Sequence, residues 1–254
     1  MGILRRVGTI EILESVQRVC STWWKVCHDP AMWRVIDLKH ESHFSRMPLV
    51  LYMLLDRMYR IAVDRSQGKL LIISIQNFGS REFLNYIAKR YSIAKDRLAV
   101  AAKNLPLLEE LHIHLTFISE EDIESVGRYC PMFKSFTLNA SEYDTFGNLI
   151  SADDGQALAI AKSMPELRHL VLIANTLTNV GLEAILDGCP HLVSLDLRCS
   201  YNIDLGGDLG KRCREQIVDL KQPCASCQDY EFYSEFSHYC FSNDNFLRFR
   251  DYIS

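Results

Sequence analysis

The chain has 254 residues, 48% hydrophobic and 24% charged, enough to bury a core and ordinary for a soluble globular fold. A formal net charge of −4 leaves no basic footprint for nucleic acid or an anionic membrane surface. The longest apolar run, Leu49 to Leu55, is too short to span a bilayer, and no apolar stretch follows Arg5 and Arg6 to make a signal peptide. The nine cysteines are therefore expected as thiols, in the cytoplasm or nucleus.

Taken in order, Met1 to Leu38 predicts a small helical unit. Ile10, Leu13, Val16, Val19 and Cys20 recur at helical spacing, and Trp23 and Val26 continue the pattern. Asp29-Pro30 breaks it and caps a short following helix. Trp33 to Leu38 alternates like a strand. Residues 39–69 are expected as a polar linker followed by a helix over Leu49 to Val63 and a turn at Ser66-Gln67-Gly68. Leu70 to Ile75 reads as an apolar strand, and Glu82 to Tyr91 as its helix. Residues 92–104 are irregular.

A repeat follows. Leu105 to Pro131 aligns without a gap to Met164 to Pro190, pairing Pro106 with Pro165, Leu108 with Leu167, Leu111 with Leu170, Ile113 with Leu172, Ile118 with Leu177 and Cys130 with Cys189. Phe133, Phe136 and Leu138 form a further strand, and Leu192, Leu195 and Leu197 the last. Residues 142–151 are an insertion, and the last helix is expected over Leu205 to Cys213. In an L-x-x-L-x-L strand the last two leucines share one face and point inward, and a single unit cannot bury them without stacked neighbours. The predicted fold is α/β: a leucine-rich-repeat solenoid of right-handed βα units over residues 70–213, behind a small helical module. Residues 214–254 either cap the last repeat or form a flexible tail.

Val19-Cys20-Ser21-Thr22-Trp23 and Asp29-Pro30-Ala31-Met32-Trp33-Arg34-Val35-Ile36-Asp37-Leu38 resemble the second half of an F-box. With cysteine-ended leucine repeats behind them, and with Ala62 to Gly68 and Leu105 to Leu111 also matching, the chain resembles plant F-box/leucine-rich-repeat proteins of the Skp-interacting type. The resemblance implies a non-catalytic substrate receptor of a Skp–cullin–F-box ubiquitin ligase. Such a receptor docks on a Skp-family adaptor, and through it a cullin, while its repeats hold a protein target for ubiquitination and proteasomal degradation. Two departures stand out. The leading L-P motif of the F-box is absent, so the F-box is expected to be truncated at its N-terminus, and Trp24 occupies a position where the family more often has arginine. A repeat protein that binds partners without ligase function, because its F-box is truncated, is the alternative.

The adaptor-binding candidates are Ile12, Leu13, Val16, Val19, Trp23 and Trp33, each either an adaptor contact or packing within the module. The target-binding candidates lie on the outward strand face. They are Glu110, His112, His114, Thr137, His169, Asp196 and Arg198, with Ser135, Asn139, Val171, Ile173 and Ser194 between them. Cys224-Ala225-Ser226-Cys227 lacks the second pair a zinc site needs and the strand a thioredoxin-like site needs. No metal or cofactor is expected. Asp153-Asp154 and Glu120-Glu121-Asp122 sit where repeat helices start, which explains their charge without catalysis.

Overall fold

The computed structural model describes residues 7–37, 49–76, 105–114, 118–139 and 152–230. The expected linker over 39–48, the helix over Glu82 to Tyr91, the irregular segment, the insertion over 142–151 and most of the C-terminal stretch lie outside the described residues.

The helical unit is α1 (Thr9–Glu14), a 3-10 turn (Val16–Arg18), α2 (Ser21–Cys27) and a second 3-10 turn (Pro30–Met32). The apolar spacing predicts one helix through Val26, and the structure breaks it. Cys20 is extended, with φ −162° and ψ 169°, and its Sγ accepts the Trp23 amide, so it caps a new helix. The periodicity survives the break because α1, the turn and α2 pack on one another. Asp29 caps the second turn by accepting the Ala31 amide at 2.9 Å.

Among the described residues seven strands form one parallel sheet in which spatial order equals chain order. They are β1 (Val35–Asp37), β2 (Ile72–Gln76), β3 (Glu110–His114), β4 (Ser135–Asn139), β5 (His169–Val171), β6 (Ser194–Asp196) and β7 (Asp219–Lys221). The seventh strand is a correction, because the sequence reading ends the array at Leu197. Ile217 and Leu220 preserve the first two positions of the leucine pattern, and Leu220 pairs in register with Leu195. The last helix is likewise displaced, running over Gly207–Gln216.

The register explains the leucine spacing. Ile36, Ile73, Leu111, Phe136, Leu170 and Leu195 are mutual neighbours across six strands and all are buried. Two residues before each strand, Trp33, Leu70, Leu108, Phe133, Leu167, Leu192 and Ile217 form a second buried row. Trp33 is thus the first rung of the repeat ladder, and Trp33-x-x-Ile36 is a disguised leucine motif. One such leucine cut to alanine would cost roughly 2–5 kcal/mol.

Helices α3 (Leu49–Ser66), α4 (Glu120–Tyr129), α5 (Gly155–Ser163), α6 (Asn179–Gly188) and α7 (Gly207–Gln216) join the strands, and α4 to α7 pack in series. Helix α4 starts on a capping box, in which the Ser119 hydroxyl accepts the Asp122 amide and the Asp122 carboxylate accepts the Ser119 amide, each at 3.3 Å. Asp154 does something the sequence does not announce. Its carboxylate accepts the Thr178 amide at 2.7 Å, the Thr178 hydroxyl at 2.7 Å and the Gly181 amide at 3.1 Å, so it fixes the start of the neighbouring helix α6. The helices touch closely: a Cβ on Gly188 would lie 2.2 Å from the Ala161 carbonyl oxygen. Among the described residues no helix is long and apolar enough to cross a membrane.

Candidate functional surfaces

At the β1 edge, the helical module divides its apolar residues between core and surface. Ile12, Leu13, Val16 and Trp33 are buried. The Trp33 indole N–H donates to the Cys27 carbonyl at 2.8 Å, and the Arg65 guanidinium lies 5.2 Å from its ring centre. Arg65 also donates to Gln17 Oε1 at 2.9 Å and to His28 Nε2 at 3.0 Å. Since arginine only donates, His28 Nε2 is the acceptor, and Nδ1–H donates to the Trp24 carbonyl at 2.8 Å. This network ties α3 to the module.

Three other apolar side chains of the module face outward. Val19 is 61% exposed, Trp24 51% and Trp23 38%. Trp24 is fixed by stacking on His28, with ring centres 3.9 Å apart. Two tryptophans and a valine exposed on one small helical unit are side chains that a partner could desolvate. Trp24 was legible only as a departure from the family pattern. Its outward direction needed the break at Cys20.

The strand face forms rows. One is Ile72, Glu110, Ser135, His169, Ser194 and Asp219, and the next is Ser74, His112, Thr137, Val171, Asp196 and Lys221. On the first row His169 is exposed and Glu110, Ser135 and Ser194 are partly so. His112 joins the two rows. Its Nε2–H donates to Glu110 at 3.3 Å, and its Nδ1 lies 2.8 Å from the Thr137 hydroxyl. Ser194 donates to Asp219 at 3.0 Å. These are hydrogen-bonding and charged groups.

The other expected surface residues are not open. His114, Thr137, Asn139, Ile173, Asp196 and Arg198 are buried, where the sequence reading has them outward. Apart from Thr137, which lies under His112, the reason is the chain after β7, residues 222–230, which lies over the C-terminal ends of the strands as a strap. Tyr230 OH meets His114 Nδ1 at 2.9 Å and accepts from Asn139 Nδ2 at 3.0 Å. Arg198, 3% exposed, grips Asp196 through Nε at 2.9 Å and Nη2 at 2.7 Å. It then donates to the Ser226 carbonyl at 2.9 Å and to the Asp229 carboxylate, and lies over the Tyr230 ring. Lys221 stands 3.7 Å from both Asp196 and Asp229. Burial lowers the Arg198 guanidinium, but the Asp196 hydrogen bond and charge outweigh it and hold the group above its ordinary value. The strap residues Asp229 and Tyr230 and the β7 residue Lys221 were missed because no periodic pattern marks them.

Cys130, Cys189 and Cys213, at the ends of repeat helices, are buried. Cys130 donates its thiol to the Leu105 carbonyl at 3.6 Å and Cys189 to the Met164 carbonyl at 3.5 Å, each spanning 25 residues to the start of its own repeat. Burial pushes the Cys130 thiol up to about 12 and the Cys189 thiol up to about 11. They are packing groups. No cluster of three or more His, Cys, Asp or Glu able to hold a metal occurs among the described residues.

Repeated strand–helix units in one sequential parallel sheet, behind a small helical module, define an α/β protein compatible with a leucine-rich-repeat fold. No protein-family model matches the chain. Curated relatives do. It is 45% identical to F-box/LRR-repeat protein 23 of Arabidopsis thaliana over 87% of this chain and 51% of that one. It is 42% identical to the F-box protein SKIP19 of the same plant over 91% of this chain and 76% of that one, and 43% identical to F-box/LRR-repeat protein 9 over 83% and 88%. The chain belongs to the plant F-box/leucine-rich-repeat family. It spans about half the length of F-box/LRR-repeat protein 23.

Proposed function

We propose that the chain is a non-catalytic substrate receptor of a Skp–cullin–F-box ubiquitin ligase, acting in the cytoplasm or nucleus. In this reading the strand–helix units form a leucine-rich-repeat solenoid, and the Val19–Trp23–Trp24 surface docks on a Skp-family adaptor. The observation that carries it is the division within the helical module. Its interior is filled by Ile12, Leu13, Val16 and Trp33, yet two tryptophans and a valine remain outside. Exposing that area in water is unfavourable, and burying it against an adaptor recovers roughly 25 cal/mol per Å². The target is held on Glu110, His112 and His169, the open part of the strand face. Catalysis enters only as positioning of the target near a ubiquitin-charged enzyme.

The test is a pull-down of the full chain with a purified Skp-family adaptor, beside the Trp23→Ala/Trp24→Ala double variant. The chain should bind, and the variant should bind at least tenfold more weakly with unchanged circular dichroism. Failure of both this chain and a version extended at its N-terminus would overturn the proposal. For the target surface, Glu110, His112 and His169 are the residues to replace together, because Asp196 is buried and would disturb the fold.

A further inference from the structure

The C-x-x-C of the strap is a motif that partner binding does not use. Its second cysteine, Cys227, does not face Cys224, which is exposed. It faces Cys199, 28 residues earlier, with the two Sγ atoms 2.9 Å apart. Cys199 follows β6 in a left-handed turn with φ 60°, and its amide donates to the Pro223 carbonyl at 2.9 Å, which sets the strap in register beside it. Arg198 fixes the Ser226 carbonyl from the other side at 2.9 Å. Ile173, Ala174, Val171 and Tyr230 close an apolar wall around the two sulfurs. Two thiols are thus held at a separation about 0.9 Å longer than a disulfide bond, by backbone contacts that do not depend on the sulfurs.

We infer that Cys199 and Cys227 are a modification site, a dithiol that is converted to an intrachain disulfide by a small-molecule disulfide such as oxidised glutathione and so fastens the strap over the strand ends. The exchange balances. Cys199 and Cys227 lose their two thiol protons and two electrons, and the Sγ–Sγ bond forms. The S–S bond of glutathione disulfide breaks and takes up both electrons and both protons, leaving two glutathione molecules. Excess reduced glutathione or dithiothreitol reverses it. The pairing is geometric, so the sequence neighbour Cys224 is not the partner. Bridging residues 28 apart restricts opening of the strap, and the loop-entropy relation gives a roughly several-hundredfold slower exchange for strap amides that exchange by detachment. The consequence is that Tyr230, Asp229 and the residues beneath them, His114, Asn139 and Arg198, stay sealed in the oxidised chain. This inference does not rest on adaptor binding.

The experiment incubates the reduced full chain with glutathione disulfide, quenches with acid, blocks remaining thiols with N-ethylmaleimide and maps linked peptides by mass spectrometry. A Cys199–Cys227 linked peptide is expected, two hydrogens lighter than the sum of its reduced parts. It should persist in Cys224→Ser, disappear in Cys199→Ser and Cys227→Ser, and vanish after dithiothreitol. Hydrogen exchange on the wild-type and Cys224→Ser chains should show slower exchange over residues 222–230 after oxidation. A Cys224–Cys227 bridge, a bridge to Cys240, glutathione adducts without a bridge, or both thiols left reduced would each overturn the inference.

Discussion

Arg198→Ala tests whether the strap is held by the buried ion cluster. The side chain supplies both long arms of a bidentate pair with Asp196, at 2.9 and 2.7 Å, and binds the strap at the Ser226 carbonyl and the Asp229 carboxylate. Its loss leaves the buried Asp196 carboxylate with the residue-198 amide at 3.2 Å and Lys221 at 3.7 Å. Stranding one member of a buried pair costs roughly 3–5 kcal/mol. Lys221 offsets part of that, because it already stands at the cluster and is partly solvated. The Asp229 contact is mostly solvent-exposed and contributes little. The expected loss is about 3 kcal/mol, read from the urea midpoint at unchanged slope. Arg198→Lys keeps the charge without the planar fork and should lose about 1–2 kcal/mol. Asp229→Asn should lose far less than either, because solvent screens its contact with Arg198. Hydrogen exchange should accelerate first over residues 222–230, ahead of β3 and β4. Equal midpoints for Arg198→Ala and Asp229→Asn, or unaltered exchange in the strap, would refute the argument.

Three further outcomes are expected. Asp154→Ala removes three hydrogen bonds from the start of α6 and should cost about 2 kcal/mol by thermal or urea unfolding; a cost below about 0.5 kcal/mol would assign the cap to Thr178 alone. With thiol values of about 12 and about 11, Cys130 and Cys189 are almost wholly protonated at pH 8, so N-ethylmaleimide should label Cys20 and Cys224 in minutes and the two buried thiols only on unfolding. Partial desolvation raises the Asp229 carboxyl, but the Arg198 hydrogen bond and charge outweigh it and hold the group below its ordinary 3.8. Its folded value lies below its unfolded one, so its contribution is present above about pH 4 and is lost as pH falls through the folded value. NMR titration should place Asp229 below 3.8, and the Arg198→Ala chain should return it upward.

Much of the fold was legible because it obeys short periods. The pairs Leu111–Leu170 and Ile113–Leu172 point inward for the same reason every alternate strand residue does, so the repeat and its core follow from spacing alone. The capping box at Ser119–Asp122 is local chemistry and could be read directly. Trp33 and Ile217 were harder, since a tryptophan and an isoleucine stand where the pattern has leucine, and only the register shows that they continue the ladder.

The surfaces divide along the same line. Spacing along the chain places Glu110, His112, His169 and Asp196 on one strand side, and it runs Ile10, Leu13 and Val16 into Val19 and Trp23 as one helical pattern. Tertiary structure decided which of these meet water. An extended residue at Cys20 turned Trp23 and Trp24 outward, and a strap with no periodic signature covered His114, Asp196 and Arg198. Period fixes the side of an element on which a residue lies. What covers that side depends on contacts between distant segments, as between Cys199 and Cys227 or Arg198 and Asp229, and spacing along the chain carries no record of those.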